Sequence, residues 1–569
     1  MQLSLSLFEY AILSFHAFSP GKALRRNPVL ALTYVFLTLM SSTVVRSPDF
    51  SLRAALRLAL LFAAIKLVLQ FALTLWTQHI GYSYFRDEFY YIACGRHPAW
   101  GFVDHGPIVA LQARLGELLF GDSLFAIRIL SALAGAATVF LTGLLAWALG
   151  GLRPAQALAM IGVLVSPIYI AMDGFLSMNS FEPVFWMLCA LALIRLIDGA
   201  PQPFWWTIFG LSAGIGLLNK PSMLFYLIAA GIGLLLTPQR RILFTRWAAL
   251  GIALIIVIAL PYGLWQIHNH WPTLEFFHNG KVGNKNVILG PMGFFLAQLT
   301  QTHPANALLW FTGLISLLRA RSIRHGRWIG LTFLIFYVLM FVLHAKDYYL
   351  APIYPVLFAA GAIAWERRFA TRPLVVANRV FAFPIFESAL ILTGLQALPM
   401  VSPILRPAAW VRYTTALHLK SNKTETASSG ELPQFYADRF GWQQQVAIVD
   451  RTFNSLSPAD QHRVCIFAGN YGEAGAIDFF NRRDHLNLPP ALSGHNNYWL
   501  WGMHGCDPDL VIAVIGDSPD DVSKTYESVT IAGVRDTPYA MPFEQANIYL
   551  LRGRRPSAPV NWADERHYY

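Results

Sequence analysis

Tyr84-Phe85-Arg86-Asp87-Glu88-Phe89-Tyr90-Tyr91 follows an apolar run at residues 56–76, about 20 residues and so long enough to cross a bilayer. The fold turns on this junction of a span with an Asp-Glu pair set among aromatics. Carboxylates held just beyond a span lose part of their hydration, which raises their basicity and suits them to proton transfer. A solvated juxtamembrane loop with an aromatic belt would carry the same residues. Both readings stay open on this stretch alone. A second acidic stretch, Trp100-Gly101-Phe102-Val103-Asp104-His105-Gly106-Pro107, comes soon after.

The rest of the chain extends the first apolar run. Of 569 residues, 55% are hydrophobic and 13% charged, with a mean hydropathy of +0.45. Soluble domains carry about 25% charged residues. The expected fold is mainly α, a polytopic transmembrane bundle of about 11 spans with a small external C-terminal α/β domain. The spans are expected near 56–76, 124–148, 155–172, 178–197, 204–219, 221–237, 247–267, 304–319, 328–344, 349–365 and 380–400.

The formal charge of +11 is no nucleic-acid signature, because the arginines gather in short loops between apolar runs. Arg240, Arg241 and Arg246 fill one loop, and Arg319, Arg321, Arg324 and Arg327 a second. Arg367, Arg368, Arg372 and Arg379 fill a third. The positive-inside rule makes these loops cytoplasmic. Asp87, Glu88, Asp104, Asp173, Glu182, Lys220, Lys346 and Asp347 then fall at or near the external face. Ionisable residues at membrane depth are costly and usually functional. Residues 108–120 keep apolar residues at helical spacing, which predicts an interfacial helix on the same face.

The chain divides into an N-terminal cytoplasmic segment, 1–54, with Met40 as a candidate start, and a membrane domain, 55–403. A linker, 404–430, leads to an external domain, 431–569. Strands are predicted at 464–468 and 510–515, and helices at 440–456 and 472–480. Gly469-Asn470-Tyr471-Gly472-Glu473-Ala474-Gly475 lacks the GxGxxG order and reads as a turn and helix start. Residues 493–502 run polar then aromatic, a pattern for packing or for stacking on a sugar ring. Cys465 and Cys506 are able to pair in an oxidising compartment, but their number alone does not establish a bridge. No Cys/His metal pattern occurs.

Asp87-Glu88-Phe89-Tyr90-Tyr91, Val103-Asp104-His105-Gly106-Pro107, Phe120-Gly121-Asp122-Ser123, Gly216-Leu217-Leu218-Asn219-Lys220-Pro221 and Lys346-Asp347-Tyr348-Tyr349-Leu350-Ala351-Pro352 together carry a family resemblance. Over residues 55–400 the chain resembles C-type glycosyltransferases of the protein O-mannosyltransferase-like superfamily, with the lipid A aminoarabinose transferase as a relative. The family often has proline where Gly106 stands.

The resemblance implies a bacterial inner-membrane enzyme with a periplasmic C-terminal domain. It implies transfer of a hexosyl or pentosyl group from a polyprenyl-phosphate donor to an acceptor hydroxyl, with inversion. The acceptor would be a glycolipid, a polysaccharide or a protein. By position Asp87 is the expected general base, with Glu88 beside it and Asp104 as second candidate. Lys220, Lys346, Arg86 and Arg128 are candidates for the cation facing the lipid phosphate. Glu182, with Asn179 one turn before it, is a candidate for the sugar or a metal. His105 and Tyr349 complete the expected substrate contacts. The resemblance fixes no cofactor, and a divalent metal is left open. Two other readings compete: a multi-span transporter, and a membrane scaffold with an external binding domain.

Overall fold

The structure is a computed structural model. It describes residues 50–569 apart from 284, 320–322, 324–325, 372–374, 377–378, 381, 420–424, 427 and 429. The candidate start at Met40 lies outside the described residues, as do Arg321, Arg324 and Arg372.

The membrane domain begins with α1 (Leu52–His79), whose N-cap Ser51 accepts a hydrogen bond from the Ala54 amide. Two loop helices follow, α2 (Arg86–Arg96) and α3 (Pro107–Phe120). Then come α4 (Leu124–Ala148), α5 (Arg153–Val165), α6 (Pro167–Met172), α7 (Met178–Ile197), α8 (Gln202–Asn219), α9 (Ser222–Leu235) and α10 (Arg246–His268). Two further loop helices, α11 (Pro272–Val282) and α12 (Pro291–Thr302), precede α13 (Ala307–Leu318), α14 (Arg327–Val342), α15 (Tyr354–Thr371) and α16 (Ala382–Val401).

Every expected span has a helical counterpart, but the lengths differ. Six helices are long and apolar enough to cross a membrane alone, or seven if Ser222–Leu235 and Pro238–Phe244 count as one bent span. Arg153–Val165, Pro304–Leu318 and Arg327–Val342 are shorter apolar helices. One cause is plain at α5 and α6. Ser166 is extended and Pro167 starts a new helix, so the expected span 155–172 is broken. The chain is a multi-pass membrane protein. Leu60, Leu61 and Val68 of α1 and Ile256, Val257 and Leu260 of α10 present exposed apolar faces suited to lipid. On α3, Leu111, Leu115, Leu118 and Leu119 are exposed while Val109, Ala110 and Ala113 are buried, as an interfacial helix requires.

One buried pair inside the bundle was not expected. Lys66 of α1 meets Asp173 at 2.8 Å and donates to the Tyr169 carbonyl at 3.1 Å. Asp173 therefore sits within the bundle rather than facing outward. Neither charge is left alone in an apolar medium.

The stretch expected as linker contains α17 (Pro407–Ala416), whose buried Trp410 packs against Tyr82 and Tyr436. Beyond it, α18 (Trp442–Asn454), β1 (Val464–Ala468), α19 (Tyr471–Arg483), β2 (Ala491–Leu492), β3 (Asp507–Ile515), β4 (Tyr526–Val534) and β5 (Asn547–Arg554) form the small α/β domain. The sheet order is β2-β1-β3-β5-β4, with β1 parallel to β2 and β3 and the other pairs antiparallel. Strand β1 and residues 510–515 of β3 are continuous apolar runs because both faces are covered. Ile466, Leu510, Ile512 and Val514 point into one core and Cys465, Val511 and Ala513 into the other. Cys465 and Cys506 are joined by a disulfide with Cα atoms 5.3 Å apart.

The first core does not stop at the domain edge. Phe89 of α2 is fully buried against Trp442, Phe479 and Phe480 at ring distances of 5.5, 5.5 and 5.7 Å. The Asp-Glu loop and the C-terminal domain thus share one apolar cluster.

Candidate active site at the junction of the two domains

The first turn of α2 carries Arg86, Asp87 and Glu88, and the helix aims them differently. Glu88 is fully buried. Its carboxylate accepts two hydrogen bonds from Arg128 of α4, both 2.8 Å, one from the Phe85 amide at 2.8 Å and one from the Leu176 amide at 2.9 Å. Burial would raise its pKa, but Arg128 beside it outweighs that and holds it below the usual range. These four bonds leave no face toward an acceptor. The expectation that Glu88 joins in catalysis is therefore corrected: it closes the N-terminus of α2 and ties it to α4. Arg128 is committed to the same pair and is removed from the phosphate candidates.

Asp87 stands one residue earlier and points the other way, its side chain 27% exposed. Its Oδ1 accepts a hydrogen bond from the Tyr471 hydroxyl at 2.9 Å and lies 3.7 Å from Arg86 Nε. Its Oδ2 has no hydrogen-bond partner among the described residues. Asp104 approaches the same space from the loop before α3. It accepts from the Tyr90 hydroxyl at 2.9 Å and is 15% exposed. Burial holds Asp104 above the usual carboxylate range, and nearby Asp87 adds to the rise. Tyr91 lies between them, its phenol pushed up first by burial and then by Asp87 and Asp104.

His105 is buried, with Nδ1 2.7 Å from the Gly106 carbonyl, which only accepts. Nδ1 therefore carries the proton, and burial keeps the ring neutral. It packs among Tyr90, Tyr91 and Phe102 and supports the Asp104 loop. A side chain at Gly106 would collide with the Leu218 carbonyl of α8, so this loop needs glycine there.

The cations divide into two groups. Lys220 donates to Glu182 and to Asn179, both at 2.9 Å, and lies 4.1 Å from the Tyr349 ring centre. Glu182 also accepts from Ser222. Glu182 is thus the counter-ion of Lys220 in this structure, as Glu425 is of Lys346. Tyr349 contacts Lys220.

Lys346 pairs with Glu425 at 3.4 Å. Burial would raise the Glu425 pKa, but Lys346, Lys285 and Arg86 together bring it down to about 2. Lys285 is held below its usual range by burial, with Arg86 and Lys346 adding to the fall and Glu425 opposing it. Arg86, Lys285 and Lys346 thus converge around Glu425, and Arg86 and Lys285 also lie near Asp87. Among the described residues no three His, Cys, Asp or Glu side chains gather as a metal site.

Sequence reading missed Lys285, Glu425, Tyr471 and Asn497. Asn497 Oδ1 accepts from the Val103 amide at 2.8 Å and lies 3.1 Å from the Tyr90 hydroxyl, which pins the Asp104 loop to the C-terminal domain. It belongs to the polar-aromatic stretch 493–502, which packs against the membrane domain: Trp501 stacks on His97 at 4.1 Å. Tyr471 was visible only as part of a helix start. That start is a capping box. Asn470 accepts from the Gly472 and Glu473 amides, and Glu473 accepts from the Asn470 amide.

Behind Arg86 lies an acidic seam. Its guanidinium sits 3.8 Å from Asp438 and 3.9 Å from Glu544, both fully buried. Burial, reinforced by Glu544, Asp87 and Glu425 and opposed by Arg86, pushes Asp438 up to about 7. Burial likewise pushes Glu473 up to about 8. A folded pKa above the unfolded value of about 3.9 means that the folded state binds the proton more tightly. The resulting stability is present at low pH and is lost as pH rises through about 7. Thermal unfolding in detergent should therefore show stability falling from pH 5 to 7. Asp438→Asn should flatten that slope and leave the part due to Glu473.

Residues 104–265 match the family model described as dolichyl-phosphate-mannose-protein mannosyltransferase. The undecaprenyl phosphate-α-4-amino-4-deoxy-L-arabinose arabinosyl transferase 1 of Pseudomonas fluorescens is 27% identical over 165 residues, 28% of this chain and 29% of that protein. The transferase of that name without a number from Pseudomonas aeruginosa is 30% identical over 156 residues, 26% of this chain and 28% of that protein. The chain thus spans less than a third of the length of these curated relatives. The crystal structure of ArnT from Cupriavidus metallidurans bound to undecaprenyl phosphate covers 88% of this chain and 99% of its own, with a TM-score of 0.53 at 14% identity. The apo form gives 0.52 over 86% and 97%. At that identity the likeness is one of fold, and it extends over most of the chain.

Proposed function

We propose that this multi-pass protein is an inner-membrane glycosyltransferase with its catalytic face in the periplasm. It takes a sugar from a polyprenyl-phosphate donor and passes it to an acceptor hydroxyl with inversion. The observation that carries this reading is one open carboxylate, Asp87, beside Arg86 and Lys285, with Lys346 joining these two cations around Glu425. Asp87 Oδ2 takes the acceptor proton as the acceptor oxygen bonds to the anomeric carbon. The bond from that carbon to the phosphate oxygen breaks, and its electron pair leaves with the polyprenyl phosphate. Cations facing that oxygen stabilise the charge without a protonating acid. Undecaprenyl phosphate, the lipid named with one structural neighbour, is the donor carrier class expected here. The curated relatives named for a pentosyl donor make pentosyl transfer the first to test.

The test is a lipid extract from cells lacking the protein. A polyprenyl-phosphate-linked sugar should accumulate and return to its normal level when the wild-type chain is restored. An unchanged lipid-linked sugar pool, with no donor consumed by purified protein, would overturn the reading.

The periplasmic placement rests on the arginine loops and on the Cys465–Cys506 disulfide, a bond that persists in oxidising compartments. A reporter active only in the periplasm, fused after Tyr569, should be active, and a cytoplasmic reporter at the same place should be silent. The opposite pattern would invert the assigned topology.

A further inference from the structure

We infer that Tyr471 of the C-terminal domain is a positioning residue for Asp87, so that the base is set by a domain outside the membrane bundle. The inference rests on Asp87 being the base. Tyr471 is the first residue of α19, and the capping box at Asn470 and Glu473 fixes its backbone. Its ring lies between Tyr90 at 4.6 Å and His495 at 4.5 Å, with the Arg86 guanidinium 5.7 Å from its centre. A ring held on these sides delivers its hydroxyl to one place, 2.9 Å from Asp87 Oδ1. With Oδ1 held, Oδ2 is the oxygen turned to the acceptor.

The close seating of α19 on α2 makes this reach workable. A side chain at Gly472 would collide with Arg86 Cγ, and one at Gly475 would place its Cβ 2.9 Å from Phe89 Cβ. Glycine at both positions lets the two helices approach closely enough for the hydroxyl to arrive. The other charged or titratable groups near Asp87 are Arg86, Tyr91, Asp104, His105, Lys285 and Asp438. None of them supplies a neutral O–H to Oδ1.

A donor to an ionised carboxylate favours the ionised form, and removing it shifts titration upward. Tyr471→Phe keeps the ring and its stacking. It should lower kcat roughly tenfold, leave KM for the lipid donor unchanged, and move the acid limb of the kcat/KM profile up by about one pH unit. Replacing Tyr471 with 3-fluorotyrosine strengthens the donor, so the limb should move down. This variant keeps the test decisive should Tyr471→Phe fold poorly. A loss of kcat with an unmoved limb would make Tyr471 merely structural and overturn the inference. Shifts of the two variants in the same direction, or wild-type behaviour in both, would do the same. These outcomes leave the base assignment standing as long as Asp87→Asn is inactive. Full activity of Asp87→Asn would remove both.

Discussion

Asp87→Asn is expected to cut turnover of the lipid-linked sugar by roughly two to four orders of magnitude, the usual worth of a general base. Asparagine has nearly the same size, and its carbonyl oxygen still accepts from the Tyr471 hydroxyl. The protein should therefore fold, insert and bind its lipid as before, so that the loss falls on kcat rather than on KM. Asp104→Asn is the matched control, because Asp104 approaches the same space and its pKa is raised by burial. It is less exposed than Asp87 and is engaged by Tyr90. Its replacement should cost much less. An inactive Asp104→Asn beside an active Asp87→Asn would transfer the role of base to Asp104. Full activity of both would leave a chemistry that uses neither carboxylate.

Arg128→Met and Glu88→Gln should each lower stability by about 3–5 kcal/mol, the usual cost of leaving one member of a buried pair uncompensated. Arg128 is 2% exposed and Glu88 is fully buried, so water cannot replace the missing partner. Joining both changes should cost less than their sum, since the second removes the charge that the first stranded. Thermal unfolding in detergent reads this directly. The pair should also be acid-sensitive. The Glu88 pKa is lowered in the folded state, so its contribution is complete above the unfolded value of about 4.3. It is lost as pH falls through the lower folded value. A Glu88→Gln protein that melts like wild type but has no turnover would return Glu88 to the catalytic group.

Much of the chain was legible before any coordinates. Composition and apolar run lengths determined a polytopic bundle, because a helix buried in lipid must be apolar along its whole length. Apolar runs bounded by turn residues gave β1 and β3, because a strand covered on both faces needs no polar alternation. The resemblance singled out Asp87 and Asp104, and the structure brings them to one space beside Tyr91. Short helices were less legible. The break at Ser166 and Pro167 lies inside an apolar run whose hydropathy does not change.

The partners of each charge were decided only by the tertiary structure. Asp87 and Glu88 are adjacent in sequence and chemically alike, and nothing local assigns one to a buried arginine and the other to an open cleft. The separation follows from the helical step between neighbours, about 100°. It also follows from Arg128 lying 40 residues away on α4. Lys220 read as a free cation until Glu182, 38 residues earlier, closed on it. Tyr471 reaches Asp87 across 384 residues, and Glu425 reaches Lys346 across 79. Sequence determines which residue types are present and which segments enter lipid, because these depend on local composition. Which charges neutralise each other depends on distances of a few ångströms between remote segments, and only packing fixes those.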